Sequence, residues 1–246
     1  MPYLLPALAF LIGSIPFGLL IAKSKGVDIR AHGSGNIGAT NVLRVMGKGP
    51  GILCLVLDAL KGFLPVVAAL NLVRFGDHLP MGFLHWPILS GLTDPLPTDQ
   101  QTKVQLVQVL CGLGAILGHN YSPWIGFKGG KGIATTAGVL FALLPFGALL
   151  LIAIFAVVTF LTRYVSVGSI TAGIALPIMT HLGTRYHHVD DKDPNSPTLW
   201  EAGTWNRPLF YFTLIAGLMA VWKHRSNIKR LIAGTENKLG RKKTDA

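Results

Sequence analysis

Long apolar runs separated by short polar stretches dominate the chain. The runs cover residues 2–22, 50–73, 104–120, 133–162, 166–183 and 207–222. Most of them approach the roughly 20 residues that an α-helix needs to cross a bilayer. The run at 133–162 exceeds one crossing, and Pro145 and Gly147 near its middle predict two short helices joined by a tight turn. The pattern therefore predicts an all-α integral membrane protein with seven transmembrane helices.

The first run is predicted to be a retained span and not a signal peptide. Residues 2–22 contain no charged side chain, no basic segment precedes them, and Lys23 and Lys25 follow directly. A signal peptide has a basic segment before a shorter apolar one. We therefore expect the N-terminus to lie outside the cytoplasm.

The distribution of charge favours seven spans over six. With seven, sixteen of the 22 Lys and Arg fall on one side of the membrane. They lie at 23–49, at 121–132, at Arg163 and from Lys223 onward. The stretches 74–103 and 184–207 on the other side contain seven of the eleven acidic residues. Because cytoplasmic loops are enriched in Lys and Arg, we predict a cytoplasmic C-terminus, with residues 1–246 forming a single polytopic membrane domain.

The composition excludes an ordinary soluble domain. Half of the residues are hydrophobic and 13% are charged, against roughly 25% charged residues in a typical soluble domain. The mean hydropathy is +0.50. A net charge of +11 suggests nucleic acid binding in a soluble protein, but here it follows from the cytoplasmic loops, and we expect no nucleic acid partner. Cys54 and Cys111 lie inside apolar runs and are predicted to be buried without forming a disulfide.

The first polar loop runs from His32 to Arg44 and reads HGSGNIGATNVLR. It contains G-x-G-x-x-G, but a membrane span precedes it where a dinucleotide-binding fold has a strand, so we exclude that fold. Glycines, short polar side chains and an arginine are suited to bind an anion such as phosphate. The candidates are Gly33, Ser34, Gly35, Asn36, Thr40, Asn41 and Arg44. The alternative interpretation is a flexible glycine-rich linker.

The second polar loop, residues 118–132, reads GHNYSPWIGFKGGKG. Its spacing is not that of a P-loop, because Ile125 and Gly132 occupy positions where that motif needs glycine and a hydroxyl residue. A helix is predicted from residue 133, and its N-terminus favours phosphate binding. The candidates are Lys128, Gly129, Gly130, Lys131 and Gly132. The alternative is that both lysines only anchor the protein on the cytoplasmic side.

Further polar groups lie in or beside the spans. Asp58 and Lys61 are one helical turn apart, and such a pair inside a span is either structural or functional. His119 is predicted to cap the third span. Ser166 and Ser169 begin the sixth. The histidines outside the membrane, His78, His85, His187 and His188, have no cysteine or acid at ligand spacing, so we predict no metal site.

The basic segment that follows the last span reads WKHRSNIKRLIAGTE and covers residues 222–236. A juxtamembrane segment of this kind usually anchors the protein or contacts anionic lipid. Asn227 and Glu236 serve neither purpose. We predict that Glu236 forms a structural ion pair with a neighbouring Lys or Arg.

The ordered set of motifs resembles the acyl-phosphate-dependent glycerol-3-phosphate acyltransferases, the bacterial family called PlsY. The motifs are GSGNIGATNVLR, LDALKG, GHNYSPWIGFKGGKGIAT, YVSVGSITAG and HRSNIKRLIAGTE. The resemblance implies a seven-helix inner-membrane enzyme of phospholipid biosynthesis with its active site on the cytoplasmic side. Such an enzyme transfers a fatty acyl group from acyl-phosphate to the 1-position of glycerol-3-phosphate. It implies no cofactor and no obligate protein partner.

The same resemblance implies roles for individual residues. Ser34 and Arg44 match the essential serine and arginine of the first motif, and His224 and Asn227 match the polar pair of the last one. Lys131 matches a phosphate-contacting lysine, Ser169 a serine that reaches the substrate, and Glu236 a structurally critical acid. Asp58 and Lys61 match a recurrent D-x-x-K-G pattern. The segment at 74–103 looks longer than the family core requires.

The residues themselves leave two mechanisms and three functions open. Acyl-phosphate is already activated, so direct attack by the substrate hydroxyl is favoured, with proximity and charge supplied by the protein. An acyl-enzyme on Ser34 is the alternative, although no base is evident beside it. A transporter for phosphorylated compounds is the rival function, yet the polar loops cluster on one face and no internal repeat is visible. A purely structural membrane protein leaves those loops unexplained.

Overall fold

The computed structural model of the chain describes residues 4–72, 98–186 and 207–240. These residues form ten α-helices, and no strand occurs among them. The helices are α1 (Leu5–Gly13), α2 (Phe17–Lys23), α3 (Ala39–Met46), α4 (Lys48–Leu72), α5 (Thr98–Asn120), α6 (Ile133–Leu143), α7 (Pro145–Thr162), α8 (Val165–Tyr186), α9 (Arg207–Lys223) and α10 (Arg225–Ile232). The predicted outside stretches at 74–103 and 184–207 lie largely outside the described residues, and so do the four histidines predicted there.

The first apolar run, predicted as one span, is long and apolar enough to cross a membrane over Leu5–Lys23, but a break divides it into two helices. α1 ends at Gly13 and α2 begins at Phe17. Pro16 precedes α2 and has no amide hydrogen to continue the helical ladder. A break inside an apolar segment exposes backbone carbonyl groups, which need partners from elsewhere in the protein.

Side chains from two distant segments supply those partners. The Ser122 hydroxyl donates to the carbonyl oxygen of Ser14 over 2.6 Å, and the Lys61 ammonium donates to that of Ile15 over 2.7 Å. The indole of Trp124 donates to the Ser14 hydroxyl over 2.7 Å. The break is therefore a built feature that ties the first helix pair to α4 and to the loop after α5.

The long run at 133–162 divides as predicted. α6 ends at Leu143, and α7 begins at Pro145. α6 has 11 residues, which is shorter than the roughly 20 that a crossing needs. The turn lets α6 pack against α4 and α7 pack against α8.

Four described segments are long and apolar enough to cross a membrane by length and composition: Leu5–Lys23, Lys48–Ala69, Pro145–Thr162 and Val165–Leu182. Large apolar side chains point outward along them, and Phe146, Phe160 and Leu161 are each more than 70% exposed. Such exposure is suited to lipid contact. The chain is thus a helical membrane protein with several spans, whereas the count of seven and the orientation stay predictions.

Helix contacts are close because glycines lie where the axes cross. A Cβ on Gly118 of α5 would overlap the Phe10 carbonyl oxygen of α1, and one on Gly138 of α6 would overlap the Ala59 carbonyl oxygen of α4. Small residues permit such backbone approach in membranes, where van der Waals packing drives helix association.

A small apolar cluster holds the first polar loop against the helices. Ala22, Ile29, Ile37, Val42 and Cys54 are buried together, separate from the main core. They bring α2, the loop after it, α3 and α4 into contact. The glycine-rich stretch between Ile29 and Val42 is therefore anchored at both ends, which does not fit a flexible linker.

Candidate active site

One cavity of about 370 Å³ collects most of the polar residues singled out in the sequence. Three polar segments meet there, beside side chains from α4, α5 and α8: the loop before α3 with α3 itself, the end of the loop before α6, and the stretch from His224 to Glu236. The predicted residues that line it are Ser34, Asn36, Thr40, Asn41, Arg44, Asp58, His119, Lys131, Gly132, Ser169, His224, Asn227 and Glu236. Gly33, Gly35, Lys61, Lys128, Gly129 and Gly130 are not among the lining residues.

Asn41 organises the first loop from its centre. Its side-chain amide donates to the carbonyl oxygens of Ile29, His32 and Asn36 over 2.8–3.2 Å. Its oxygen accepts the backbone N–H of Ser34 over 2.8 Å. Asn41 as a whole residue is 1% exposed. Because the amide is engaged with the loop, we assign Asn41 to holding Ser34 in place and not to direct phosphate binding.

Arg44 follows Asn41 by one turn of α3. Its Nη1 lies 3.3 Å from the Asn41 side-chain oxygen to which it donates. Partial burial lowers the pKa of Arg44, while Glu236 raises it and Arg230 lowers it again. A guanidinium keeps its charge at any physiological pH. Arg44 is thus a fixed cation whose position is set by the loop-organising asparagine.

A hydrogen-bonded chain joins the second and third polar segments. The Lys131 ammonium donates to the Asn227 side-chain oxygen. The Asn227 amide donates in turn to Oε1 of Glu236 over 2.6 Å, and the Ser166 hydroxyl reaches the same oxygen over 2.9 Å. The other oxygen of Glu236 forms the ion pair expected for this carboxylate, with Arg230 Nε at 2.7 Å.

The charge of this cluster affects Lys131 most clearly. Burial lowers the pKa of Lys131 to about 8; Glu236 opposes the shift, whereas Arg230 and Arg44 add to it. Three cations, Arg44, Lys131 and Arg230, are therefore close enough to interact electrostatically with one carboxylate, that of Glu236. Such a surplus of positive charge is suited to bind phosphate.

His224 lies at the start of α10 and is 2% exposed. Its Nδ1 donates to the Ala220 carbonyl oxygen over 2.7 Å. Burial, together with the nearby Lys131, lowers the pKa of His224 to about 4. The ring is therefore neutral at pH 7 and leaves Nε2 as a hydrogen-bond acceptor. In the described part of the chain, neither the Ser34 hydroxyl nor a carboxylate forms a hydrogen bond with this imidazole.

The glycine pair of the second loop has a different role from the one its composition suggests. A Cβ on Gly129 would overlap the His119 carbonyl oxygen, and one on Gly130 would overlap the His119 ring. Both glycines therefore permit close packing against α5, and neither lines the cavity. Lys128 is exposed and away from the cavity lining, which favours the anchoring interpretation for this lysine.

His119 is not simply a helix cap, contrary to the prediction. Its ring is buried against α4, with Nδ1 3.6 Å from Oδ1 of Asp58. The same carboxylate oxygen lies 2.7 Å from the Lys61 ammonium. The predicted pair one turn apart on α4 is thus present, and its third member comes from α5.

Sequence reasoning missed the apolar part of the cavity. Beyond the polar cluster, the walls are formed by α6, α7 and α8, with Leu140, Leu151, Ile152, Phe155 and Leu176 among the lining residues. These helices are apolar around their whole circumference, so no periodicity marks the cavity-facing positions. Only the tertiary structure identifies which apolar side chains face the site.

Comparisons with known proteins identify the family of the chain. The sequence profile of the glycerol-3-phosphate acyltransferase family matches residues 3–234. The glycerol-3-phosphate acyltransferase of Halalkalibacterium halodurans is 40% identical over 238 residues, which cover 96% of this chain and 94% of the relative.

Two solved structures share the fold across 97% of this chain. Both are crystal structures of PlsY, an integral membrane glycerol 3-phosphate acyltransferase. Its glycerol 3-phosphate form is 35% identical with a TM-score of 0.72 and is covered over 96% of its length. Its lysophosphatidic acid form is 34% identical with a TM-score of 0.70 and is covered over 95%.

Proposed function

The chain belongs to the glycerol-3-phosphate acyltransferase family, and from this premise we propose that it transfers a fatty acyl group from acyl-phosphate to the 1-position of glycerol-3-phosphate. The products are lysophosphatidic acid and phosphate. The observation that carries the proposal is the division of the cavity, with cations at one end and an apolar wall at the other. The family resemblance seen in the sequence is confirmed. It favours an acyltransferase of lipid biosynthesis over a transporter or a purely structural membrane protein.

The polar end suits two phosphate groups. Arg44 comes from α3 and Lys131 from the loop before α6, and each is held by an asparagine side chain. A guanidinium binds two phosphate oxygens in a fixed fork, whereas an ammonium acts as a point charge. We assign these two cations to the phosphates of donor and acceptor. Ser34, Asn36, Thr40, Ser169 and the neutral His224 complete the polar lining around them.

The apolar end suits the acyl chain. Leu140, Leu151 and Phe155 lie beyond the polar cluster on helices whose outer faces are suited to lipid. A fatty chain in this part of the cavity removes apolar surface from water, at about 25 cal/mol per Å². The phosphate of the donor then lies toward the cations and its chain toward α6–α8.

We assign a direct transfer to this site. The C1 hydroxyl oxygen of glycerol-3-phosphate attacks the carbonyl carbon, the carbon–oxygen bond to the donor phosphate breaks, and phosphate leaves with the electron pair. The hydroxyl proton passes to a phosphate oxygen. Arg44 and Lys131 stabilise charge that develops on the leaving group, a contribution of the kind made by preorganised donors in other acyl transfers.

The reaction is tested with purified protein, palmitoyl-phosphate and glycerol-3-phosphate. We expect lysophosphatidic acid and one equivalent of phosphate per turnover. Palmitoyl-CoA in place of palmitoyl-phosphate is the matched control for donor choice. Absence of product from both donors contradicts the acyltransferase assignment, and product from palmitoyl-CoA alone contradicts the acyl-phosphate donor.

Ser34 distinguishes the direct mechanism from an acyl-enzyme. With radiolabelled palmitoyl-phosphate and no glycerol-3-phosphate, we expect no label on the protein, since the Ser34 hydroxyl has no base hydrogen-bonded to it among the described residues. Initial rates should indicate a ternary complex and not ping-pong kinetics. Label that disappears in Ser34→Ala would establish the covalent route.

The depressed pKa of Lys131 predicts a pH dependence. Below its pKa of about 8 the ammonium is charged and binds phosphate. Above that pH the proton is lost, so we expect the KM for glycerol-3-phosphate to rise. Because a bound dianion favours the charged lysine, kcat should depend less on pH than kcat/KM. The control is Lys131→Arg, which stays charged; an unchanged alkaline limb in this variant excludes Lys131 as its source.

We further propose seven spans in an inner membrane, with the C-terminus and the cavity mouth on the cytoplasmic side. The charge asymmetry of the chain supports this orientation, because three basic segments converge on the cavity. An alkaline phosphatase fusion at the C-terminus should be inactive, and one after Asp94 should be active. The reverse pattern contradicts the proposed orientation.

A further inference from the structure

A buried charge cluster at the contact of α4 and α5 lies beside the loop that carries Lys131. The Asp58 carboxylate, the Lys61 ammonium and the His119 ring are each at most 5% exposed. The Lys61 ammonium donates to the Ile15 carbonyl oxygen and forms an ion pair with the Asp58 carboxylate, so these two contacts hold the ammonium in place. A charge pair in this setting is costly to bury and holds its neighbours to one geometry.

The His119 ring faces this cluster on one side and the glycine pair on the other. Its Nδ1 lies 3.6 Å from Oδ1 of Asp58, which is longer than a hydrogen bond, so the contact is electrostatic. A carboxylate beside Nδ1 favours the tautomer with the proton on that nitrogen. The ring orientation is therefore linked to the position of Asp58.

The glycine pair packs against both the backbone and the ring of His119. The Gly130 N–H donates to the His119 carbonyl oxygen over 3.1 Å. The Gly130 Cα also lies so close to Nε2 that no Cβ fits between them. Lys131 is the next residue, and its ammonium is bound to Asn227. A shift of the ring therefore moves the backbone from which Lys131 extends.

We propose that Asp58 and His119 are positioning residues for Lys131, acting through the Gly129–Gly130 segment, an inference that rests on the proposed function. Asp58 fixes the ring, the ring fixes the glycine segment, and that segment places the ammonium toward the substrate phosphate. Since Gly130 covers Nε2, His119 positions the loop and does not transfer a proton. Small displacements of a phosphate-binding cation weaken binding steeply, because charge-assisted bonds depend on geometry.

The first test replaces His119 by Gln, which removes the ring and keeps a polar side chain. We expect the KM for glycerol-3-phosphate to rise about tenfold, the equivalent of one charge-assisted hydrogen bond, while kcat changes little. The matched control is Gly112→Ala on the same helix, where a Cβ meets Val139 two turns away from the loop. The control should lower the unfolding temperature and leave KM unchanged.

The second test addresses Asp58 without leaving a charge unpaired. The double variant Asp58→Asn/Lys61→Met removes both charges together. We expect it to raise the same KM, and we expect no further rise when it is combined with His119→Gln, because both act through the ring. Additive effects, an unchanged KM, or a loss confined to kcat would overturn the inference.

The two proposals fail in different ways. An inactive wild-type protein contradicts the proposed function, whereas an active wild type with unaltered KM in the variants contradicts only the positioning role. Calorimetric binding of glycerol-3-phosphate gives the same comparison without turnover: weaker binding by His119→Gln supports the inference, and equal binding overturns it.

Discussion

Replacing Arg44 by alanine is expected to lower kcat/KM by about 100- to 1,000-fold, the range for removal of one preorganised donor to a developing oxyanion. Arg44 lines the cavity and is held on α3 by Asn41. Its loss removes one of three cations that share the Glu236 carboxylate. Turnover of palmitoyl-phosphate and glycerol-3-phosphate by the purified variant provides the measurement.

Arg44→Lys is the matched variant, because it keeps the charge and loses the planar fork. We expect it to recover about tenfold over alanine and to remain well below wild type, since a lysine cannot bind two phosphate oxygens at once. Full activity in the lysine variant would contradict the bidentate role. Unfolding temperatures near that of the wild type confirm that the loop is intact in both.

The apolar runs predicted most helix positions because the lipid environment imposes a simple requirement on sequence. A spanning helix must satisfy its own backbone and present apolar side chains, so its length and composition are visible in the sequence. Pro145 marked the turn between α6 and α7 correctly. The break between α1 and α2 was not predicted, although Pro16 is visible in the sequence. The side chains that donate to the freed carbonyl groups, Lys61 and Ser122, are distant in sequence from the break.

The candidate site was predictable in its residues but not in its connections. Glycines beside Arg44 and Lys131 marked two polar loops, and both cations line the cavity. The link from Lys131 to Asn227 spans 96 positions, and no local pattern indicates it. Composition suggested an anion cradle at Gly129 and Gly130, but it could not show that packing against His119 also requires glycine at both positions.

Glu236→Gln is expected to lower kcat/KM by about 100-fold, the equivalent of leaving one or two buried donors unpaired. The Glu236 side chain is 5% exposed and accepts from Asn227, Ser166 and Arg230. Glutamine has one accepting oxygen, and its amide group would face a donor on at least one side. An amide group that faces Asn227 removes the bond that orients this asparagine toward Lys131.

The two kinetic constants should separate in this variant. Removing the carboxylate leaves the cations Arg44, Lys131 and Arg230 without a counter-charge, which favours anion binding, so most of the loss is expected in kcat. Ser166→Ala is the matched control, because it removes one donor and keeps the bonds of Glu236 to Asn227 and Arg230. It should retain most of the activity. A Glu236→Gln variant as active as Ser166→Ala would show that the carboxylate is not needed to orient Asn227, and the hydrogen-bonded chain to Lys131 would lose its proposed role in catalysis.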